Sequence, residues 1–243
     1  MDDLKRVAIL QSNYIPWKGY FDIIAAVDEF ILLDDVQYTH RDWRNRNIVK
    51  TSGGNKWLSV PVRHDRSSRI SDVTIATDQG DWIKTHLTTI EHSYGKAPFA
   101  KDVTPLLQGL YEQVRGATHL SQVNRTLVEG LQTYLGIPTR ITWSTDYYTL
   151  EESDALTPTE RLVTLCMRAG ATTYLSGPAA QAYMDVEAFT SKGVGVEWMD
   201  YGGYVEYPQL HGDFDHHVSV IDLLYMTGKD AASYLKYAPK PRG

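Results

Sequence analysis

Residues 7–47 read VAILQSNYIPWKGYFDIIAAVDEFILLDDVQYTHRDWRNRN, and this stretch decides the fold. An apolar run, residues 7–10, leads into the polar turn Gln11-Ser12-Asn13-Tyr14, with Pro16 and Gly19 as punctuation. An amphipathic segment, 20–27, follows. A second apolar run, 30–33, ends abruptly in Asp34-Asp35. Strand, polar loop, helix and strand in that order predict a βαβ unit. Open parallel sheets bind ligands beyond the carboxyl ends of their strands. Both polar clusters, 11–14 and 34–37, stand at such ends. The basic-aromatic run Arg41-Asp42-Trp43-Arg44-Asn45-Arg46-Asn47 lies one loop further on. The block is expected to form the floor of an active site.

The rest of the chain continues the alternation. Residues 48–50 and 56–62 read as a hairpin around Ser52-Gly53-Gly54-Asn55, and 70–75 as another strand. Asp81 caps a helix from Trp82 to Tyr94, with Ile83, Leu87, Ile90 and Tyr94 at helical spacing. Residues 102–113 and 120–135 repeat the 3.6-residue pattern, the second ended by Gly136-Ile137-Pro138. Residues 139–143 read as a strand. Thr157-Pro158-Thr159-Glu160 starts a helix that stops at Gly170. Then come a strand at 173–175, a helix at 179–184, a strand at 194–199 and a helix at 220–226. The tail, 239–243, reads as frayed. This order predicts an α/β fold with a Rossmann-like, largely parallel sheet flanked by helices. A single α/β domain over residues 1–243 is expected, with a helical portion around 81–135 as a candidate subdomain.

Composition narrows the function. The net charge of −6 over 243 residues argues against general nucleic-acid binding, which rests on excess basic charge. It leaves room for a local basic pocket. One cysteine, Cys166, forbids an intrachain disulfide and suits a reducing cytoplasm. Its neighbours Leu162, Val163, Leu165 and Met167 mark it as a packing residue, since a reactive thiolate wants a polar, electropositive setting. The N-terminus is acidic, with an apolar run too short for a signal peptide. No run approaches the roughly 20 apolar residues of a membrane span.

The candidate binding residues follow from strand ends and chemistry. Gln11, Asn13, Tyr14, Lys18 and Gln37 would wall the pocket. Arg44 and Arg46 suit bidentate contact with phosphate or carboxylate, with Trp43 as a stacking face and Asn47 beside them. Ser176-Gly177 precedes a helix and offers backbone N–H groups to an anion; the G-x-S-x-G pattern of a nucleophilic serine is absent. Asp34 and Asp35 must be solvated, paired or bound to a cation. The segment His211-Gly212-Asp213-Phe214-Asp215-His216-His217 is rich in groups for proton transfer or metal binding. Asp34, Asp35, His211, His216 and His217 are the catalytic candidates. No ligand spacing defines a metal, and no cofactor is named by any motif. His86 and His92, on the 82–94 helix, read as ordinary helical residues.

Several of these motifs together resemble the WbqC-like proteins. They are Gln11–Phe21 (QSNYIPWKGYF), Leu33-Asp34-Asp35-Val36-Gln37-Tyr38, Trp43-Arg44-Asn45-Arg46-Asn47, Trp57-Leu58-Ser59-Val60-Pro61-Val62, Tyr94-Gly95-Lys96-Ala97-Pro98-Phe99, Tyr174-Leu175-Ser176-Gly177 and Ser219-Val220-Ile221-Asp222-Leu223-Leu224. The resemblance covers nearly the whole chain. It implies a place in bacterial O-antigen and other surface-polysaccharide gene clusters. From that context we expect an N-acyl- or N-aminoacyltransferase acting on a nucleotide-linked amino sugar. The partner would be a small molecule, a nucleotide-sugar; oligomeric state, including a homo-oligomer, stays open. The strand followed by Tyr14-Ile15-Pro16-Trp17-Lys18-Gly19-Tyr20 also looks like the nucleotidylyltransferase opening. That family carries H-x-G-H where Trp17 and Tyr20 stand here. An ATP-dependent ligase and a non-catalytic ligand-binding protein of the same pathway are the alternatives.

Overall fold

The computed structural model describes residues 4–239; residues 1–3 and 240–243, including most of the tail read as frayed, lie outside them. Strand β1, Arg6–Leu10, passes through the polar turn into helix α1, Lys18–Ala25, and strand β2, Glu29–Leu32. β1 and β2 pair in parallel, from Val7 beside Glu29 to Leu10 beside Leu32. The expected βαβ unit is there. The hairpin β3, Arg46–Thr51, and β4, Gly54–Ser59, is antiparallel, with Thr51 opposite Gly54. Gly54 sits at φ +104, where a side chain would be strained.

Residues 70–75 do not form one strand. Ile70–Asp72 is a 3-10 turn, and only β6, Thr74–Ile75, is extended, against β5, Val62–Arg63. Ile70 and Val73 are both fully buried, and residues three apart face opposite ways on a strand. The turn, closed by Val73 N–H on the Ile70 carbonyl, puts both into the core.

Helices α2, Trp82–Tyr94, α3, Ala100–Gln113, and α4, Leu120–Tyr134, come next. The Asp81 carboxylate accepts the Lys84 N–H at 2.9 Å, which satisfies one free donor of the first turn. Then follow β7, Arg140–Trp143; α5, Leu150–Ala155; α6, Pro158–Arg168; β8, Thr173–Ser176; α7, Val186–Thr190; β9, Gly195–Trp198; and α8, Val220–Thr227. The helix expected at 179–184 is a short 3-10 segment, Pro178–Ala182.

The main sheet runs β7-β2-β1-β8-β9, parallel at every pairing. Ala8, Phe30 and Leu32 face the larger core, shared with α1 to α4 and α8. Val7, Ile9 and Ile31 face a second core built with Val163, Leu165 and Cys166 of α6 and Phe189 of α7. Strands covered on both faces read as unbroken apolar runs, as 7–10 and 30–33 do. Cys166 is fully buried, and burial pushes its thiol up to about 12. β2 and β7 lie on one side of β1, β8 and β9 on the other. The gap between β1 and β8 is therefore the topological switch point, where such sheets bind ligands. No helix among the described residues is long and apolar enough to cross a membrane.

Candidate functional site

A cleft of about 670 Å³ opens at that switch point, within the roughly 300–1,000 Å³ range of small-molecule sites. Its floor is apolar: Ile9 and Leu10 from β1, Leu162 from α6, Tyr174 from β8, and Met184 behind them. Its rim is polar. Gln11, Asn13, Gln37, Trp43, Arg44, Ser176 and Gly177, all expected at a binding site, line this one cavity. Arg161 of α6 joins them, and sequence reading missed it. On an amphipathic helix it is indistinguishable from a solvated arginine; only the fold turns it inward.

Arg44 organises the rim. Its guanidinium donates to the side-chain oxygens of Asn13 and Gln11, with Asp42 at 3.5 Å. Asn124 of α4 donates to the Arg44 carbonyl at 2.9 Å and to Ser12 Oγ at 3.0 Å, tying the two loops together. The Nε atoms of Arg44, Arg46 and Arg161 are buried with no hydrogen-bond partner among the described residues. Of the three, only Arg44 and Arg161 line the cleft, where a guanidinium suits an anion.

The turn after β1 is held under strain. Ile15, a β-branched residue, sits at φ +35, a conformation that costs on the order of 1–3 kcal/mol and persists only where its surroundings enforce it. They do so here. Tyr14 N–H donates to the Trp43 carbonyl, Val220 N–H to the Pro16 carbonyl, Ser219 Oγ to the Ile15 carbonyl and Asn47 Nδ2 to the Tyr14 carbonyl. The turn thus presents Asn13 and Trp17 from a fixed backbone.

Asp34 stands behind the rim, 2% exposed. Its Oδ1 accepts the Ser12 N–H at 2.8 Å, while Oδ2 has no partner among the described residues. Burial pushes the carboxyl up to about 6, against the Ser12 hydrogen bonds and the Arg44 charge, which hold it down. The sign of the linkage follows. Between about pH 4 and 6 the native state binds the proton that the unfolded chain has lost, so this group's contribution falls as pH rises through that window. Asp34→Asn, which keeps an oxygen for Ser12, should therefore be more stable than the parent at pH 7.5 by about 2.7 kcal/mol, from a shift of roughly two pKa units at 1.36 kcal/mol each, a net shift in which the Arg44 attraction is already contained. The difference should vanish near pH 4. Urea unfolding at both pH values checks it; an equal ΔΔG at pH 4 and 7.5 would refute the burial argument.

The other expected residues divide. Asp35 points the opposite way from Asp34 and accepts hydrogen bonds from Ser144, Ser153 and, at 3.0 Å, Tyr148. Tyr14, expected on the pocket wall, is fully buried; its hydroxyl meets His86 Nδ1 at 2.7 Å and the Tyr111 hydroxyl. Burial pulls His86 down to about 4, so its ring is neutral and structural. Lys18 is 2% exposed, its ammonium boxed by the rings of Tyr204, Tyr207 and Phe214, and burial lowers it to about 8. Arg46 lies over the Trp57 ring at 4.2 Å and donates to the Arg41 carbonyl. Ser176 and Gly177 reach the cleft, but the 3-10 segment after them is too short to supply the helix dipole expected there.

The three histidines of 211–217 part company as well. His211 Nε2 is 2.8 Å from the Ser93 carbonyl, on the far end of α2. His216 packs edge-on to Phe214, and burial with the Lys18 charge holds it below the ordinary histidine value. His217 stacks on Trp17 and borders a small pocket of about 240 Å³ with Asn13, Pro16, Trp43 and Asn47. Among the described residues no three His, Cys, Asp or Glu side chains gather as metal ligands. A second, wider cleft, lined by Asp35, Asp65, Arg66, Arg69, Asp72 and Asp154, meets the first at Val36, Gln37 and Arg161.

Known proteins agree with the sequence motifs. The uncharacterized protein Rv1507c of Mycobacterium tuberculosis is 46% identical over 234 residues, which span 96% of this chain and 99% of that relative. No solved structure matches significantly. The model of the WbqC-like protein family matches residues 11–234, from the Gln11 rim through the Asp34, Arg44 and Ser176 segments and α8 to the end of the 3-10 segment Gly228–Tyr234. The chain belongs to the WbqC-like protein family.

Proposed function

We propose that the protein is a transferase that forms an amide on a nucleotide-linked amino sugar, acting in the cytoplasm in surface-polysaccharide synthesis. The observation that carries this reading is the switch-point cleft, whose apolar floor ends against the Arg44–Gln11–Asn13 cluster and Arg161. A nucleoside suits the floor, and a diphosphate suits the two guanidinium groups that line the cleft. The family's association with polysaccharide clusters supplies the sugar. In the reaction the sugar's amine attacks the carbonyl carbon of an activated acyl or aminoacyl donor, a thioester or acyl phosphate. The C–N bond forms, the bond to the donor's leaving group breaks with its electron pair, and the ammonium proton passes to a base. An ATP-dependent ligase is the second reading, favoured by the polar turn that follows β1 of the parallel sheet. Against it, Trp17 and Tyr20 occupy the histidine positions; Tyr20 is 3% exposed and donates to the Gln11 carbonyl, so neither supplies a cation for a triphosphate.

The test is a thermal-shift screen of nucleotide-sugars followed by mass spectrometry of reactions with acyl donors. A ligand at 100 times its Kd stabilises the native state by about 2.7 kcal/mol, a readily visible shift. Amino-sugar conjugates should raise the melting temperature and gain the mass of one acyl group. Binding without product would favour a non-catalytic ligand-binding protein. Exchange of pyrophosphate into ATP would favour the ligase. No shift by any nucleotide-sugar would overturn the proposal.

A further inference from the structure

The small pocket beside the main cleft has no part in the reading above, which assigns only the nucleotide and its phosphates. It is about 240 Å³, lined by Asn13, Pro16, Trp17, Trp43, Asn47 and His217. Asn13 and Trp43 also line the main cleft, so the two pockets are neighbours that share a wall. Its volume falls just below the roughly 300–1,000 Å³ of sites for drug-sized ligands, room for a single ring. Its chemistry is specific: two indoles and a proline offer apolar faces, and the Asn13 amide NH2 offers hydrogen bonds, while the Asn47 carboxamide is spent on the Tyr14 carbonyl and the Ile48 N–H. That combination suits a pyranose, which has apolar C–H faces and a belt of hydroxyls. Trp17 is fixed in turn. It packs against Tyr201 and Tyr204 and lies so close over Gly19 that a Cβ there would meet its ring at 2.3 Å.

His217 is largely exposed at this pocket and is not isolated. Its Nδ1 lies 3.3 Å from Asp215 Oδ1, and its own N–H donates to the same oxygen at 2.8 Å. Asn55 Nδ2 holds the other Asp215 oxygen at 3.2 Å. A carboxylate on Nδ1 fixes the tautomer in which Nε2 is the basic nitrogen, and Nε2 has no partner among the described residues. We infer that the small pocket is the acceptor subsite, holding the amino-hexose ring of the nucleotide-sugar. There His217 Nε2 takes the proton from the amine that becomes the amide, and Asp215 positions its ring. The inference rests on the amide-forming reading of the main cleft.

The probes are uridine and thymidine diphosphates and their amino-hexose conjugates, measured by calorimetry on the full chain. The conjugate should bind about tenfold more tightly than the matching diphosphate. Gly19→Ala, which displaces Trp17, should remove that gain and leave diphosphate affinity unchanged. His217→Gln, on an exposed side chain, should keep the conjugate's Kd and lose on the order of a hundredfold or more in kcat, the usual contribution of a positioned base. Asp215→Asn should lower kcat about tenfold at constant KM, with part of the loss restored by Asp215→Glu. Equal affinity of diphosphate and conjugate would overturn the subsite while leaving the nucleotide cleft standing. Full kcat in His217→Gln would overturn the base assignment. Binding of neither probe would overturn both this inference and the reading beneath it.

Discussion

Arg44→Ala should weaken binding of a nucleotide-sugar by about 1.5–3 kcal/mol, the range for a lost charge-assisted hydrogen bond, or roughly ten- to hundredfold in Kd. The guanidinium lines the cleft and is already aimed by Gln11 and Asn13, so little ordering is needed when an anion arrives. Arg46→Ala is expected to cost far less, under about 0.5 kcal/mol of affinity, as surface changes away from a site usually do. Arg46 is occupied by the Trp57 ring and the Arg41 carbonyl. Titration calorimetry of the two variants side by side makes the comparison. Equal losses in both would mean that the ligand lies across the 41–47 loop rather than in the switch-point cleft.

Asp35→Asn should destabilise the fold by about 3 kcal/mol or more and leave the specific activity of the folded fraction intact. The carboxylate is 4% exposed and accepts from Ser144, Tyr148 and Ser153. An amide offers one acceptor oxygen in place of two and turns an NH2 toward donors, and each buried donor left unsatisfied costs roughly 1–3 kcal/mol. These partners belong to the segment between β7 and α6, so Asp35 fastens that connection to the end of β2. Urea denaturation gives the stability and a per-mole activity assay the rest. A variant of parental stability that has lost all activity would return Asp35 to the chemistry.

The sequence disclosed the sheet better than the site. Strands buried on both faces announce themselves as apolar runs, and the Asp81 and Thr157 caps marked their helices to the residue. Helices α5 and α7 were missed because five or six residues hold too little periodicity, although Thr149 with Glu152 carried a capping signal. In the site, the residues next to strand ends were legible: Gln11, Asn13, Arg44 and Ser176 stand where an α/β sheet places its ligand groups. Tyr14 was not, because its hydroxyl finds His86 and Tyr111, which lie 72 and 97 residues away in the chain. Nor was the division of labour between Asp34 and Asp35. Neighbours in an extended segment face opposite ways, but only the fold says which meets three hydroxyls and which feels the Arg44 charge. Arg161 carried no local signal at all.

The pairing of β1 with β8 has a consequence for how the chain is made. Val7 lies beside Tyr174, so one edge of the central strand finds its neighbour only after most of the polypeptide has left the ribosome. At roughly 5–20 residues per second, the nascent chain carries that apolar edge unpaired for about ten to thirty seconds. Over that interval β1, β2 and the hairpin can assemble, but the switch point cannot, because half of it has not been translated. Unpaired strand edges recruit other chains. Synthesis stalled before Thr173 therefore leaves a polypeptide with no ligand cleft and an open sheet edge, a species suited to capture by chaperones and to aggregation when they are scarce.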